Sequence, residues 1–295
     1  MADGQARLLL GAPIAAEIRA SVRDDIASFV VRRGFAPTLA IVLVGRDAPS
    51  AVYLRQILRA CEAAGIGGRL VEIESDGSGP ADLEVAVTNA IRELNDDPLV
   101  AGIIVQMPLP PSVRLRAVID TIDPAKDIDG IHPLNAGLLR LGFEGFLPAT
   151  AHAAIEILHR YDIPIEGRDA IVVGRSNVVG MPAAFMLIRE HATVTVCHSR
   201  TRDLGAHVGR AEILVVAAGR PGLIIGSMLR PGAVVVDVGI NVVGDKIVGD
   251  VDFDSASRVA SAITPVPGGI GPVTNALLLT HLVRAAVRQT DAHPA

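Results

Sequence analysis

The stretch that most restricts what this chain can fold into is Ala170-Ile-Val-Val-Gly-Arg-Ser-Asn-Val-Val-Gly-Met-Pro182, continued by Ala183-Ala-Phe-Met-Leu-Ile188. A short apolar run ends in a glycine, a polar turn follows, and a second glycine opens a helical pattern. That order predicts strand, loop and helix, the βα unit from which nucleotide-binding α/β domains are built. Gly174 permits a tight turn at the strand end. Gly180 either lets the backbone approach a pyrophosphate or packs the helix against its strand. The glycine spacing is not that of the common G-x-G-x-x-G fingerprint, so alone it is a weak signal. A plain βα turn of any α/β protein shows the same pattern.

The next segment adds chemistry. Ala192–Cys197 reads as a second strand, and it ends in His198-Ser-Arg-Thr201. Sites that prefer NAD usually carry Asp or Glu here, to bond the ribose 2′-hydroxyl. Ser199 and Arg200 offer a hydroxyl and a guanidinium instead, which suit a 2′-phosphate, and Arg175 in the first turn could reach the same group. The residues favour NADP. Ser199 or Thr201 can also be read as caps of a helix beginning near Asp203, and the two readings are compatible.

A chain of 295 residues, half of them apolar, can fill two ordinary cores. Its formal charge of −5 gives no general case for nucleic acid or an anionic membrane. With no tryptophan and only 2 tyrosines and 6 phenylalanines, platforms for stacking bases are scarce. Cys61 and Cys197 lie far apart in apolar surroundings, which suits buried thiols, and no metal-ligand cluster stands out. Runs such as Leu8–Ala16 are too short to span a bilayer, and the pattern around Asp3 and Glu17 is unlike a secretory signal. A soluble, cytoplasmic α/β protein is expected.

In chain order, Ile14, Ile18, Val22, Ile26 and Val30 form a helical stripe that stops at Gly34. Thr38–Val44 is apolar throughout, as in a parallel strand covered on both faces. Ser50 is a good cap for a helix to about Ala64. A strand at Arg69–Glu74, a helix to about Asn95 and a buried strand at Leu99–Val105 follow. Three prolines fix the loop after Gln106, and a helix is expected around Val113–Thr121. Asp123–Pro133 is polar at a level where ligands tend to bind. Strand-helix counting restarts near Pro148, with a helix from Thr150 to Arg160. It continues through Ile213–Ala217, Ala233–Asp237 and a short strand ending at Thr264. Asn275 to about Arg288 forms a last helix that returns to the first domain.

These residues resemble a known family. Tyr53, Gly102-Ile-Ile-Val-Gln106 with Pro108-Leu-Pro110, Lys126-Asp-Ile-Asp-Gly130, Gly174–Gly180, Cys197-His-Ser-Arg-Thr201, Asp237-Val-Gly-Ile-Asn241, Gly249-Asp-Val-Asp-Phe253 and Thr264-Pro-Val-Pro-Gly-Gly-Ile-Gly-Pro272 all fit it in order. Together they resemble the bifunctional methylenetetrahydrofolate dehydrogenase / methenyltetrahydrofolate cyclohydrolase family, called FolD in bacteria, from about Gly11 to Arg288. The resemblance implies a two-domain α/β fold with a cleft between the domains. Residues 1–148 plus 273–295 would form a three-layer α/β substrate domain, and 149–272 a Rossmann-like NADP-binding domain. It also implies a homodimer and a tetrahydrofolate derivative as substrate. By motif, Tyr53 would stack on folate, Gln106 would sit beside the one-carbon unit, and Asp129 would bond the pterin edge. Pro108, Pro267, Gly268 and Gly269 would also meet folate. Gly174, Arg175, Ser176, Ser199, Arg200, Gly219, Ile240 and Thr274 would hold the dinucleotide. Each has a plainer reading: Asp129 as a turn residue before Gly130, and Gly268 and Gly269 as breakers of regular structure.

One position departs. The family pattern Tyr-x-x-x-Lys-x-Lys reads Tyr53-Leu-Arg-Gln-Ile57-Leu-Arg59 here, so the family's catalytic lysine is Ile57. Pro148-Ala-Thr-Ala-His-Ala153 and Gly271-Pro-Val-Thr274 also differ from the usual motifs. Hydride transfer needs alignment and a stabilised cation, with no obligatory proton donor. Hydrolysis needs a positioned acid/base, which isoleucine is not. Ile57 is either ordinary core or a wall of the folate pocket, and the retained Tyr53, Gln106 and Asp129 favour the wall. Three readings follow: an NADP-dependent dehydrogenase with weak or absent cyclohydrolase, a paralogue for another reduced-folate or pterin-like substrate, and a non-catalytic folate- or partner-binding relative.

Overall fold

The computed structural model describes residues 5–45, 48–74 and 80–292. In chain order its elements begin β1 (Arg7–Leu8), α1 (Gly11–Arg33), β2 (Thr38–Val44), α2 (Ala48–Ala63), β3 (Gly67–Ile73), α3 (Pro80–Asp96) and β4 (Val100–Val105). Next come α4 (Leu115–Thr121), α5 (Pro133–Leu141), α6 (Ala149–Arg160), β5 (Asp169–Val173), α7 (Gly180–Arg189), β6 (Thr193–Cys197) and α8 (Leu204–Val208). The chain ends with β7 (Ile213–Val216), β8 (Val234–Asp237), β9 (Asn241–Val243), β10 (Lys246–Val248), α9 (Phe253–Ala256), β11 (Ala262–Ile263) and α10 (Ile270–Ala292).

Two compact units result. One comprises 17–138, 145–147 and 278–295, and the other comprises 1–16, 139–144 and 148–277. The first is built on a parallel sheet ordered β3-β2-β4. Every residue of β4, and all of β2 after Thr38, is buried, which is why both read as unbroken apolar runs. β3 is an edge strand and largely exposed. Ala40, Val42, Val87, Ile91 and Val118 form one core of this unit. Lys126 is buried, and its Nζ donates to the carbonyls of Leu94, Asn95 and Asp97 at 3.1, 2.6 and 2.8 Å. It thereby satisfies carbonyls left open at the end of α3. The far part of α10 belongs here too: the His281 ring Nδ1 meets the Ile128 carbonyl at 2.8 Å, and Gln289 Nε2 donates to Ala101 at 2.8 Å. α10 is long and apolar enough to cross a membrane, yet 67% of that window is buried inside the protein, as in a core helix.

The second unit carries a parallel sheet ordered β1-β11-β8-β7-β5-β6. β5, next to the edge strand β6, is the pivot: the chain steps to β6 on one side, then returns to β7 on the other. That reversal creates a switch point at the carboxyl ends of these strands, where ligands of open α/β sheets bind. β7 and β8 are buried along their whole length.

Several details differ from the reading of the sequence. Residues 5–16 sort with the six-stranded unit, because β1 pairs with β11 and Ala6 N donates to Ser257 O at 2.8 Å. α2 begins at Ala48, ahead of Ser50, so Ser50 is not its cap. α8 is capped by Asp203, whose carboxylate accepts from Ala206 N at 3.1 Å. Thr201 Oγ1 instead accepts from His198 N at 2.8 Å. α5 and the hairpin β9–β10 were not anticipated. The hairpin turns through Gly244 (φ 61°) and Asp245, a two-residue Gly-Asp signal that the sequence does contain.

Candidate functional site

At the switch point of the six-stranded sheet lies a cavity of about 400 Å³. It is lined from three strand ends: Gly174, Arg175 and Ser176 after β5, His198, Ser199 and Thr201 after β6, and Ala217, Ala218 and Arg220 after β7. Gly174 has φ 133°, and a Cβ on it would overlap the Ala217 carbonyl, so only glycine lets these two turns meet. A Cβ on Gly180 would overlap the Gly174 carbonyl and stand 2.9 Å from Arg175 N. The second glycine of the motif therefore packs α7 onto its own strand end. Ser176 Oγ accepts from Val179 N at 3.1 Å and Gly180 N at 3.3 Å, stiffening the turn. Two guanidiniums and three hydroxyls around one cavity suit the anionic and ribose groups of a dinucleotide. Arg175 and Ser176 stand exposed between the two buried glycines, so the residues present fit such a cofactor.

Of the residues expected to hold the dinucleotide, the cavity gathers Gly174, Arg175, Ser176 and Ser199. Arg200, Gly219, Ile240 and Thr274 are not among its lining residues. Arg200 is exposed, with its backbone N donating to His198 Nδ1 at 3.1 Å. Gly219 spends its N–H on Asp250 Oδ2 at 2.8 Å. Ile240 is 69% exposed, and Thr274 is buried with its Oγ1 bonded to Ile270 O within α10. The second cation at the cavity is Arg220, which the sequence reading missed along with His198, Ala217 and Ala218. The available signal was Ala217-Ala-Gly-Arg-Pro221 directly after a buried strand, the third strand end beside the switch point.

In the three-stranded unit, Gln106 follows β4. Its backbone N donates to Val42 O at 2.9 Å and its Nε2 to Met107 O at 2.7 Å. Pro108 is exposed in the loop beyond. The Lys126–Gly130 segment is tied beside β4 by the Ile103 N to Lys126 O bond of 2.8 Å. Its first aspartate is structural: Asp127 is fully buried and accepts from Ile131 N, His132 N and Asn135 Nδ2 at 3.1, 2.8 and 2.8 Å. Burial nevertheless pushes its carboxyl above the usual range. Asp129 is half-buried, two residues further on. Ile57 lies on α2 with 2% of its surface exposed, and Arg59 is exposed. The side chain of Tyr53, on the same helix, lies outside the described residues. Cys61 is buried as expected, which raises its thiol to about 12, and Cys197 is buried too.

Pro267, Gly268 and Gly269 belong to the six-stranded unit. Gly268 O accepts from Gly11 N at 2.8 Å, and a Cβ on Gly11 would overlap the Gly269 carbonyl. Gly269 N donates to Pro265 O at 2.8 Å, and Pro267 is exposed. Among the described residues, no group of three His, Cys, Asp or Glu is placed to hold a metal.

A cation-lined cavity at the switch point of a parallel sheet, in a chain with a second parallel α/β unit, defines a two-domain dinucleotide-binding α/β protein. Residues 148–290 match the NAD(P)-binding domain of tetrahydrofolate dehydrogenase/cyclohydrolase, and residues 9–129 match its catalytic domain. The chain belongs to the tetrahydrofolate dehydrogenase/cyclohydrolase family. It is 48% identical to the bifunctional protein FolD of Roseiflexus sp. (strain RS-1) over 283 residues, which covers 96% of each chain. The crystal structure of the FolD dehydrogenase/cyclohydrolase from Campylobacter jejuni superposes with a TM-score of 0.91 at 40% identity, covering 96% of this chain and 99% of that one. The Trypanosoma brucei enzyme, solved with NADP and an inhibitor, gives 0.91 at 34% identity, covering 96% and 98%.

Proposed function

We propose that the protein oxidises 5,10-methylenetetrahydrofolate to the methenyl form with NADP, and that its methenyltetrahydrofolate cyclohydrolase activity is weak or lost. The observation that carries this is Ile57, an isoleucine 2% exposed where the family keeps a lysine. NADP, when bound, supplies the hydride acceptor. Around it, Arg175 and Ser199 would hold phosphate and ribose, while Tyr53, Gln106, Pro108 and Asp129, with Pro267, Gly268 and Gly269, would hold folate. Oxidation moves a hydride off the methylene carbon and leaves the cation shared by two nitrogens. It asks the chain for alignment, not for a proton. Hydrolysis of that cation removes a proton from the attacking water and returns one to the leaving nitrogen, which needs a titratable side chain in place. An isoleucine does neither.

A net charge of −5 gives no general case for nucleic acid or an anionic membrane as partner. We read the chain as a homodimer, as the family resemblance implies, and as cytoplasmic from its composition. Assaying the two half-reactions separately tests the reading. NADP reduction with methylenetetrahydrofolate should be measurable, and consumption of the methenyl compound should not exceed its spontaneous rate. Enzymatic hydrolysis at the dehydrogenase rate would overturn the loss. Absence of both activities would point to another pterin-like substrate or to a binding role.

A further inference from the structure

The aspartates of two motifs, Asp237-Val-Gly-Ile-Asn241 and Gly249-Asp-Val-Asp-Phe253, have no role in the reading above. In the fold they interlock. Asp250 is fully buried, and its Oδ2 accepts from Ala218 N at 2.6 Å and Gly219 N at 2.8 Å. Its Oδ1 accepts from Arg220 N and from Asn241 Nδ2, both at 2.8 Å. Three successive amides of one turn thus converge on a single carboxylate, an arrangement of the kind that elsewhere captures an anionic ligand. Asp237 fixes Asp250 in turn: its carboxylate accepts from Asp250 N at 3.1 Å, Val251 N at 2.9 Å and Gly239 N at 2.9 Å. The glycines of both motifs make room for this. A Cβ on Gly239 would overlap the Asp250 carboxyl, and one on Gly249 would overlap Asp237 Oδ2.

The turn so held is the third wall of the switch-point cavity, which Ala218 and Arg220 line. Gly219, at φ 64°, lets the chain point its amides inward at Asp250. With those amides committed, the only cation the turn can offer the cavity is the Arg220 guanidinium. We propose that Asp250 is a positioning residue for the cofactor, fixing the Ala218–Arg220 turn so that Arg220 meets a phosphate of the bound dinucleotide. This rests on the dinucleotide reading of the cavity. A staple serving the fold alone would lower stability when removed and leave cofactor affinity untouched, which separates the two roles.

The test is calorimetric titration of NADP into the full-length protein, with thermal unfolding of the same samples. If the unmodified protein fails to bind NADP, the cavity reading falls and this inference falls with it. Given binding, Arg220→Ala should raise the Kd about ten-fold, the loss of one charge-assisted hydrogen bond. Asp250→Asn should raise it by a similar factor although it stands behind the turn. The double variant should be little worse than either single one, because both changes remove the same contact. Arg220→Lys should recover part of the affinity by keeping a charge without the fork. An unchanged Kd in Arg220→Ala, an Asp250→Asn that lowers Tm at unchanged Kd, or losses that simply multiply in the double variant would each overturn the proposal. Arg220 is exposed, so its alanine variant decides the matter even where Asp250→Asn does not fold.

Discussion

On the proposed function, the side chain at position 57 decides between two chemistries that share one substrate carbon. Isoleucine and lysine have similar volumes, and lysine extends two atoms further along the chain, so Ile57→Lys adds a titratable group and reach with little added bulk. We expect it to raise hydrolysis of methenyltetrahydrofolate by about 10²-fold, the usual scale for one positioned acid/base, measured as absorbance loss above the buffer rate. The same substitution puts an amine where the present side chain is 2% exposed. Its pKa should therefore fall and the urea midpoint should drop. No gain in hydrolysis by a folded variant would show that residue 57 is walled off from the reacting carbon. Arg175 poses a parallel question for the cofactor. It lines the switch-point cavity and Arg200 does not. Arg175→Ala should weaken NADP about ten-fold more than NAD, whereas Arg200→Ala should change either affinity little. Equal losses for the two dinucleotides in Arg175→Ala would remove it from the 2′-phosphate.

Among the elements, the end of β8 carries the sharpest electrostatic demand. Burial, with a smaller push from the neighbouring Asp250, raises the Asp237 carboxyl to about 6 against the opposing pull of its three amide donors. An unfolded aspartate releases its proton near 3.9. From about pH 4 to 6 the folded chain therefore holds a proton that the unfolded chain has lost. The stability this group contributes falls as pH rises through that window, by a total on the order of 3 kcal/mol. Asp237→Asn abolishes the titration, so its stability deficit relative to the unmodified protein should be larger at pH 4.5 than at pH 7. Urea midpoints at the two pH values check this, and a deficit that does not change with pH rejects it. The element scale also shows how far the sequence could be read. β2, β4, β5 and β7 announce themselves because a strand covered on both faces is an unbroken apolar run ended by a turn residue. β1 has two residues and shows no period at all, so its pairing with β11 has no local signature. Asp250 and Asp237 were legible as motif letters but not as roles, because a carboxylate that bonds remote backbone amides leaves no spacing rule behind. Arg220 was missed for a related reason: its place follows from strand order, which the chain does not spell out locally.

For the molecule as a whole, the six-stranded unit leaves a small apolar surface on a weak element. The hairpin β9–β10 has three residues per strand, and an isolated two-stranded ribbon is only marginally stable in water. Yet Val242, Val243 and Ile247 are 69%, 51% and 48% exposed on it, and Ile240 just before it is 69% exposed. Val242 and Ile247 pair directly and so share one face of the ribbon. Apolar side chains exposed on a ribbon with open edges are what a partner surface requires and what a free monomer ordinarily avoids. A two-fold pairing lets the same patch cover itself in both copies, the commonest closed arrangement of identical chains. We therefore expect the protein to sediment at micromolar concentration as a species of about twice the 30.7 kDa chain mass. Val242→Asp should shift that equilibrium towards the monomer, since each dimer would then bury two unpaired carboxylates at its centre. A purely monomeric unmodified protein would reject the pairing. A Val242→Asp variant that still sediments as a stable dimer would keep the pairing but move it away from the hairpin.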